Sequence, residues 1–226
     1  MRLNAYLARA GISSRRGADE IIKAGRVVVN GQTGQLNTQV EETDQVKVDG
    51  KRVDSQRLRY ILLYKPERTV TTLKDPEGRP KILDDVKIPE RVVPVGRLDF
   101  DTTGALLLTN DGELAYKLMH PSFMIDKTYE AKVAGDITEE ILNKLSNGIE
   151  LEDGKTAPGK ARKLADNKIE LTIHEGRNHQ VKRMLTAVGL SVKKLHRSKY
   201  GLLDLTGLKP THWRELTEQE VLKLKG

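Results

Sequence analysis

Apolar positions in the first fifty residues fall into two short helical periods followed by short strands. Leu3, Tyr6, Leu7 and Ala10 recur at helical spacing, and Gly11 stops the run. Ser13 or Ser14 can cap a second helix whose apolar face is Ala18, Ile21 and Ile22, ending at Gly25. Val27-Val28-Val29 then precedes Asn30-Gly31, and the alternating Val46-Lys47-Val48 precedes Asp49-Gly50; both dipeptides are turn signals between strands. Residues 1–50 therefore read as a small α-rich module. Residues 51–59 are polar and without apolar period, and read as a linker. From residue 60 to 226 the pattern is mixed. It predicts strands at 59–65, 69–73, 92–95, 105–109, 128–134, 168–174 and 192–196, and helices at 112–119, 138–146, 179–188 and 217–224. Strands outnumber helices and do not alternate with them one for one. That predicts an α+β domain with a mixed, largely antiparallel sheet flanked by helices.

Composition narrows the setting. A chain of 226 residues can form a small domain plus a larger one, and 31% charged against 37% hydrophobic residues describes a soluble, folded protein. No apolar run approaches the roughly 20 residues that span a bilayer. The N-terminus, Met1-Arg2-Leu3-Asn4-Ala5-Tyr6, lacks the apolar region of a signal peptide. The absence of cysteine removes disulfides, thiolate nucleophiles and cysteine zinc sites together. We expect a cytoplasmic protein with no membrane partner. The net charge of +7 is unevenly spread. Residues 1–30 carry six basic residues (Arg2, Arg9, Arg15, Arg16, Lys23, Arg26) against Asp19 and Glu20, a net +4. Residues 160–200 carry eleven against three acidic ones, a net +8. Two basic faces on folded segments point to a nucleic-acid partner.

The chemistry concentrates in two segments. Residues 96–112 run from a short polar loop into an apolar strand ending in Asn110-Asp111-Gly112, which sets a carboxylate at the edge of a rigid sheet. Spacing alone does not choose among Asp99, Asp101 and Asp111. A reactive carboxylate must stay ionised, so partial burial needs a cation or hydrogen-bond donors beside it. The segment Glu175-Gly176-Arg177-Asn178-His179-Gln180-Val181-Lys182-Arg183-Met184 offers them. Asn178 can cap a helix burying Val181, Met184, Leu185 and Val188, with Lys182 and Arg183 pointing outward. Arg177, in the glycine-containing turn, can reach across to another loop. His174 and His179 are five apart, which splays them on a helix, and Gly176 argues against a helix there, so a zinc motif is not expected.

The order of these motifs carries a resemblance. Leu3-x-x-Tyr6-Leu7-Ala8-x-Ala10-Gly11-x-x-Ser14-Arg15-Arg16, with Gly25-Arg26-Val27-x-Val29-Asn30-Gly31, resembles the alpha-L type RNA-binding module. That resemblance implies binding of structured RNA through Arg15, Arg16, Lys23 and Arg26. Gly96-Arg97-Leu98-Asp99-x-x-Thr102-x-Gly104, continuing to Asp111-Gly112, resembles the signature of the RsuA/RluB-type ribosomal RNA pseudouridine synthases. Lys65-Pro66, His120-Pro121, Lys127-Thr128-Tyr129 and the segment 175–184 fit the same pattern in order. The resemblance implies an isomerase that converts a uridine to pseudouridine with no metal, redox or nucleotide cofactor. It makes Asp99 the essential aspartate, Tyr129 the aromatic that stacks on the flipped base and assists proton removal at carbon 5, and Arg177 the cation paired with the aspartate. Arg97 and Thr102 position the loop or contact the nucleotide, Lys182 and Arg183 contact RNA, and Leu195 or a neighbour walls the base pocket. The expected partner is ribosomal RNA or a ribosomal assembly intermediate, engaged by a monomer. The alternatives are a non-catalytic ribosome-associated RNA-binding factor and a synthase acting on tRNA. One departure stands out: family members usually carry Gly two residues after Lys-Pro, where this chain has Arg68. The loop after Pro66 is expected to differ, or Arg68 to contact RNA.

Overall fold

The structure, a computed structural model, describes residues 1–41 and 43–226. The chain forms two compact units. The first comprises Met1–Arg59 with Ile88–Val93 and Thr109–Gly112, the second Tyr60–Lys87, Pro94–Leu108 and Glu113–Gly226.

In the first unit, α1 (Leu3–Arg9) and α2 (Arg15–Lys23) precede four short antiparallel strands, β1 (Val27–Val29), β2 (Gln32–Thr33), β3 (Val46–Val48) and β4 (Lys51–Val53), in the order β2-β1-β3-β4. Ser14 caps α2, its hydroxyl accepting from the Gly17 N–H at 3.1 Å. Leu3, Leu7, Ala18, Ile22, Val27 and Val46 share one core. Part of the expected linker is strand: Lys51–Val53 pairs with β3, and Val53 is buried while its polar neighbours face solvent. A three-residue strand offers only one buried position, too few to show a period.

The second unit is built on a mixed sheet with helices packed against it. Its strands are β5 (Tyr60–Lys65), β6 (Val93–Pro94), β7 (Thr102–Thr109), β8 (Lys127–Ala134), β9 (Lys160–Ala165), β10 (Lys168–Ile173), β11 (Ser191–Tyr200), β12 (Leu203–Asp204) and β13 (Trp213–Glu215). The path is β13-β5-β7-β11-β8-β10-β9, with β12 on β11 and β6 on β7. The β7–β11 pair is parallel, whereas β8 pairs antiparallel with both β11 and β10. Helices α3 (Gly112–Met119), α4 (Glu139–Asn147), α5 (Gln180–Ala187) and α6 (Glu218–Lys225) complete it. Leu62, Leu107, Leu114, Leu118, Tyr200 and Leu224 form one core beneath α3 and α6. β7 is buried along almost its whole length, as befits a central strand covered on both faces. Thr138 and Thr217 cap α4 and α6, the latter in a capping box with Glu220.

The expected strand at 69–73 does not form. Val70 makes a single parallel bridge to Lys81, and the intervening Asp75-Pro76-Glu77-Gly78-Arg79-Pro80 is irregular, because two prolines remove donors that a ladder would need. β9 was not expected, since its residues are mostly exposed at the sheet edge and show no apolar alternation.

Arg68 adopts φ +57, a left-handed conformation that favours glycine, and its N–H donates to the Phe100 carbonyl at 2.8 Å. The family's usual glycine is thus the relaxed residue for a turn that this chain makes with arginine. Arg68→Gly removes a steric penalty of about 1–2 kcal/mol and adds back roughly 0.5–1 kcal/mol of backbone entropy. A thermal melt should show a small rise in Tm; a fall of several degrees would mean that the arginine side chain contributes more than its backbone strain costs.

Candidate active site

The loop between Val95 and β7 holds its carboxylates by backbone design. The Thr102 N–H closes the loop on the Asp99 carbonyl at 3.1 Å. The fully buried ammonium of Lys65 donates to the carbonyls of Pro66 at 2.9 Å and Thr102 at 2.8 Å, tying β5 to the start of β7. Burial pushes Lys65 down to about 8 despite the charges of Asp101 and Asp99.

Asp99 is partly exposed and faces α5. Lys182 Nζ lies 3.2 Å from its Oδ2, and His179 Nε2 lies 3.5 Å from its Oδ1. Lys182 also donates to Asp101 at 2.6 Å. Partial burial works against the Lys182 charge, but the hydrogen bond with Asp101 and the charge of Asp99 outweigh it, leaving Lys182 above the ordinary lysine value. One ammonium therefore serves two carboxylates.

Arg177 does not make the expected pair with Asp99. Its guanidinium donates to the carbonyls of Asp153 at 3.2 Å, Gly154 at 2.6 Å and Lys155 at 2.6 Å, and lies 3.4 Å from Glu175. It fastens the turn before α5 to the 153–155 loop, although it still lines the same cavity as Asp99. Nor do Lys182 and Arg183 simply face outward. Lys182 turns to Asp99, and Arg183 forms a two-pronged pair with Asp153 at 2.9 Å on both arms. The helix begins one residue later than expected, at Gln180, with His179 at φ +47 as its N-terminal neighbour.

Tyr129 is buried on β8, directly across from Arg197 in the ladder. Arg197, which the sequence did not flag, is 2% exposed. Its Nε donates to the Ala105 carbonyl at 2.8 Å and its Nη1 to the Tyr129 hydroxyl at 3.4 Å. Its guanidinium carbon lies 4.9 Å from the Tyr200 ring centroid and 5.9 Å from that of Tyr129. No carboxylate pairs with it among the described residues, so two rings, a hydroxyl and one carbonyl hold this buried cation. Burial pushes the neighbouring Tyr200 hydroxyl up to about 12 and Lys127, with Arg197 adding to the effect, down to about 8.

A small cavity of about 60 Å³ gathers these groups: Arg97, Leu98, Asp99 and Thr102 from the loop, Tyr129 and Ile173 from the sheet, and Arg177, His179 and Val181 from the turn and α5. The Thr102 hydroxyl is buried with no partner among the described residues. Leu195 stands beside Thr102 in the ladder, but Ile173 and Val181 form the apolar wall of the cavity. In the first unit, Arg15 and Arg16 are exposed on the first turn of α2, whereas Lys23 pairs with Glu20 at 2.9 Å and Arg26 with Asp49.

The family model described as RNA pseudouridylate synthase matches residues 59–187, and that of the S4 domain matches residues 1–46. Ribosomal large subunit pseudouridine synthase B of Bacillus subtilis (strain 168) is 50% identical over 233 residues, spanning 100% of this chain and 96% of that relative. An uncharacterized RNA pseudouridine synthase of Aquifex aeolicus (strain VF5) is 46% identical over 232 residues, spanning 99% of this chain and 93% of the relative. A crystal structure of a pseudouridylate synthase superposes with a TM-score of 0.74 at 33% identity, covering 99% of each chain.

Proposed function

We propose that this chain, which belongs to the RNA pseudouridylate synthase family, converts a uridine of the large-subunit ribosomal RNA to pseudouridine with Asp99 as the essential carboxylate. The observation that carries the reading is that Asp99, paired with Lys182, and Tyr129 line one cavity in a chain half identical to a large-subunit synthase. The target uridine leaves its stack and enters beside Tyr129, whose ring recovers part of an unstacking cost of a few kcal/mol. The N-glycosidic bond breaks, its electron pair leaving with the uracil, and the carboxylate of Asp99, paired with Lys182, meets the electron-poor ribose carbon. The uracil turns and its carbon 5 bonds to the ribose carbon in place of the carboxylate; carbon 5 then gives up its proton, and the nitrogen freed of the ribose takes one up. Tyr129 assists that proton's departure, with Arg197 fixing the direction of its hydroxyl. Because a guanidinium has no acceptor, the tyrosine oxygen accepts from it and keeps its second lone pair for the proton leaving carbon 5. Arg97 and Thr102 contact the nucleotide.

The reading is tested by incubating large-subunit ribosomal RNA with the protein and mapping carbodiimide-dependent primer-extension stops. A new stop at one uridine is expected with wild type. Its absence, with tight RNA binding retained, would favour a non-catalytic binding factor, and activity confined to tRNA would favour a tRNA synthase.

The first unit docks the RNA. Arg15 and Arg16 flank the N-terminus of α2, where free backbone N–H groups add to an anion site, and neither is tied to a carboxylate among the described residues. Arg15→Ala with Arg16→Ala is expected to weaken ribosomal RNA binding and to lower the salt slope of log K by up to about 2, one for each phosphate no longer neutralised. A filter-binding titration across salt concentrations checks it; an unchanged slope would move the docking face elsewhere.

A further inference from the structure

A second and larger cavity adjoins the catalytic one. Its volume is about 330 Å³, and the two share Arg97, Leu98, Asp99 and His179 as walls. The remaining walls are Phe100, Asn178 and residues of the irregular segment 70–79, whose first part overlaps the strand expected at 69–73. None of the chemistry proposed above uses this space.

Its lining has the makings of a nucleotide site. Phe100 is 41% exposed, a large apolar residue left beside charged neighbours. Arg97 and Lys74 are exposed, and neither has a carboxylate partner among the described residues. Single-stranded RNA is held by this combination, its bases stacking on aromatic or guanidinium planes and its phosphates meeting cations.

The walls are fixed before any ligand arrives. The Thr71 hydroxyl donates to the Leu98 carbonyl at 2.7 Å and accepts from the Leu98 N–H at 3.2 Å. The Arg68 N–H holds the Phe100 carbonyl at 2.8 Å, which fixes the backbone that carries the ring. Asp75, its carboxylate almost wholly buried, accepts from the Arg79 backbone at 2.7 Å and from its guanidinium at 2.7 Å. That hydrogen bond holds the Asp75 carboxyl below the usual range. The two hydrogen bonds of Thr71 tie the segment 70–79 to the catalytic loop, the Arg68 N–H ties the preceding turn to it, and the Asp75–Arg79 pair fixes the segment's own turn.

An RNA substrate is continuous, so a uridine delivered to Asp99 brings its neighbours within one nucleotide's reach. The space that shares the Asp99 wall must then hold one of them or exclude it. Its size falls in the range of small-ligand pockets, and its cations favour a phosphate. We infer that this cavity takes the nucleotide adjacent to the target uridine, its base stacked on Phe100 and its phosphate held by Arg97 and Lys74. The inference rests on the function proposed above and adds a source of sequence-context preference to it.

The test couples a protein change to an RNA change. A short segment of large-subunit ribosomal RNA around the mapped uridine is made in three forms: intact, abasic at the 5′ neighbour, and abasic at the 3′ neighbour. With wild type, one abasic form is expected to lose roughly 5- to 100-fold in kcat/KM, the scale of removing one base–aromatic stack. With Phe100→Ala, the intact RNA already shows that loss and the abasic form adds little to it. Phe100→Leu, which keeps an apolar side chain without a ring to stack on, should behave as Phe100→Ala does and guards against a folding defect. Equal losses on the abasic RNA in all three proteins would overturn the inference, as would no loss with wild type. Affinities of the same RNAs for Asp99→Asn protein and for Asp99→Asn with Phe100→Ala, read by fluorescence anisotropy, need no turnover. Coupling in binding without conversion of intact RNA by wild type would remove the proposed reaction and leave the site. Conversion without coupling would do the reverse.

Discussion

Asp99→Asn is expected to fold normally and to lose pseudouridine formation by roughly 10⁴-fold or more, the scale seen when a group at the reacting centre is removed. Asparagine preserves the shape of the side chain and removes its charge, so the ribose carbon no longer meets an anion. Stability should change little. The Asp99–Lys182 pair is partly exposed, pairs of that kind contribute at most about 1 kcal/mol, and Lys182 keeps its 2.6 Å contact with Asp101. Asp101→Asn is the informative companion. Its carboxylate is largely exposed and touches only the flank of the site, so its loss should lower activity about tenfold or less by loosening Lys182. Asp111 lies beyond the opposite end of the eight-residue β7, away from the loop that carries the other two. Carbodiimide primer extension over a time course, with thermal melts of each variant, reads all of this. Undiminished conversion by Asp99→Asn, or a larger loss in Asp101→Asn, would move the essential carboxylate to another residue.

Elements with a full apolar period are legible in the sequence. α3 covers the expected 112–119, and α4, α5, α6, β8 and β10 differ from their expected limits by one or two residues. What escaped lacked a pattern to read. β9 is a charged edge strand, and β13 spans three residues whose partner, β5, lies about 150 positions earlier in the chain. The site divided along the same line. The motifs containing Asp99 and Tyr129 marked two groups that do line one cavity. The choice between Arg177 and Lys182 as the partner of Asp99 was not written in the motif, because both are cations within six positions. It is set by the turn at Gly176 and the left-handed His179, which aim Lys182 at the loop, and by the 153–155 carbonyls, which capture Arg177. Arg197 was hidden most completely. In Leu195-His196-Arg197-Ser198-Lys199 it reads as one more exposed strand cation, and only the ladder between β7 and β8, with a register shift just beyond it, buries it under Tyr129 and Tyr200.

The same ladder makes Gly104→Ala the substitution with the largest expected effect on stability. Gly104 has φ +123, a conformation that side chains rarely adopt, and it lies opposite Arg197 in the parallel β7–β11 pair. A Cβ there would sit 2.2 Å from the Arg197 carbonyl oxygen and 2.6 Å from its backbone nitrogen. Both are backbone atoms of a central strand, so relief requires moving β11 rather than rotating a side chain. Backbone strain of about 1–3 kcal/mol and overpacking of a similar size add to roughly 2–6 kcal/mol. For a chain of this length that lowers Tm by roughly 5–20 °C. Activity should fall further than stability explains, even at temperatures where the variant is fully folded. Displacing the Arg197 backbone moves the guanidinium that holds the Tyr129 hydroxyl, and Thr102, two residues before Gly104, carries the carbonyl that Lys65 grips. Thermal melts paired with single-turnover conversion at low temperature separate the two losses. A variant that melts like wild type would show that β7 and β11 are not in close contact at this position. One that melts early yet turns over normally would show that the Arg197–Tyr129 contact does not matter for the reaction.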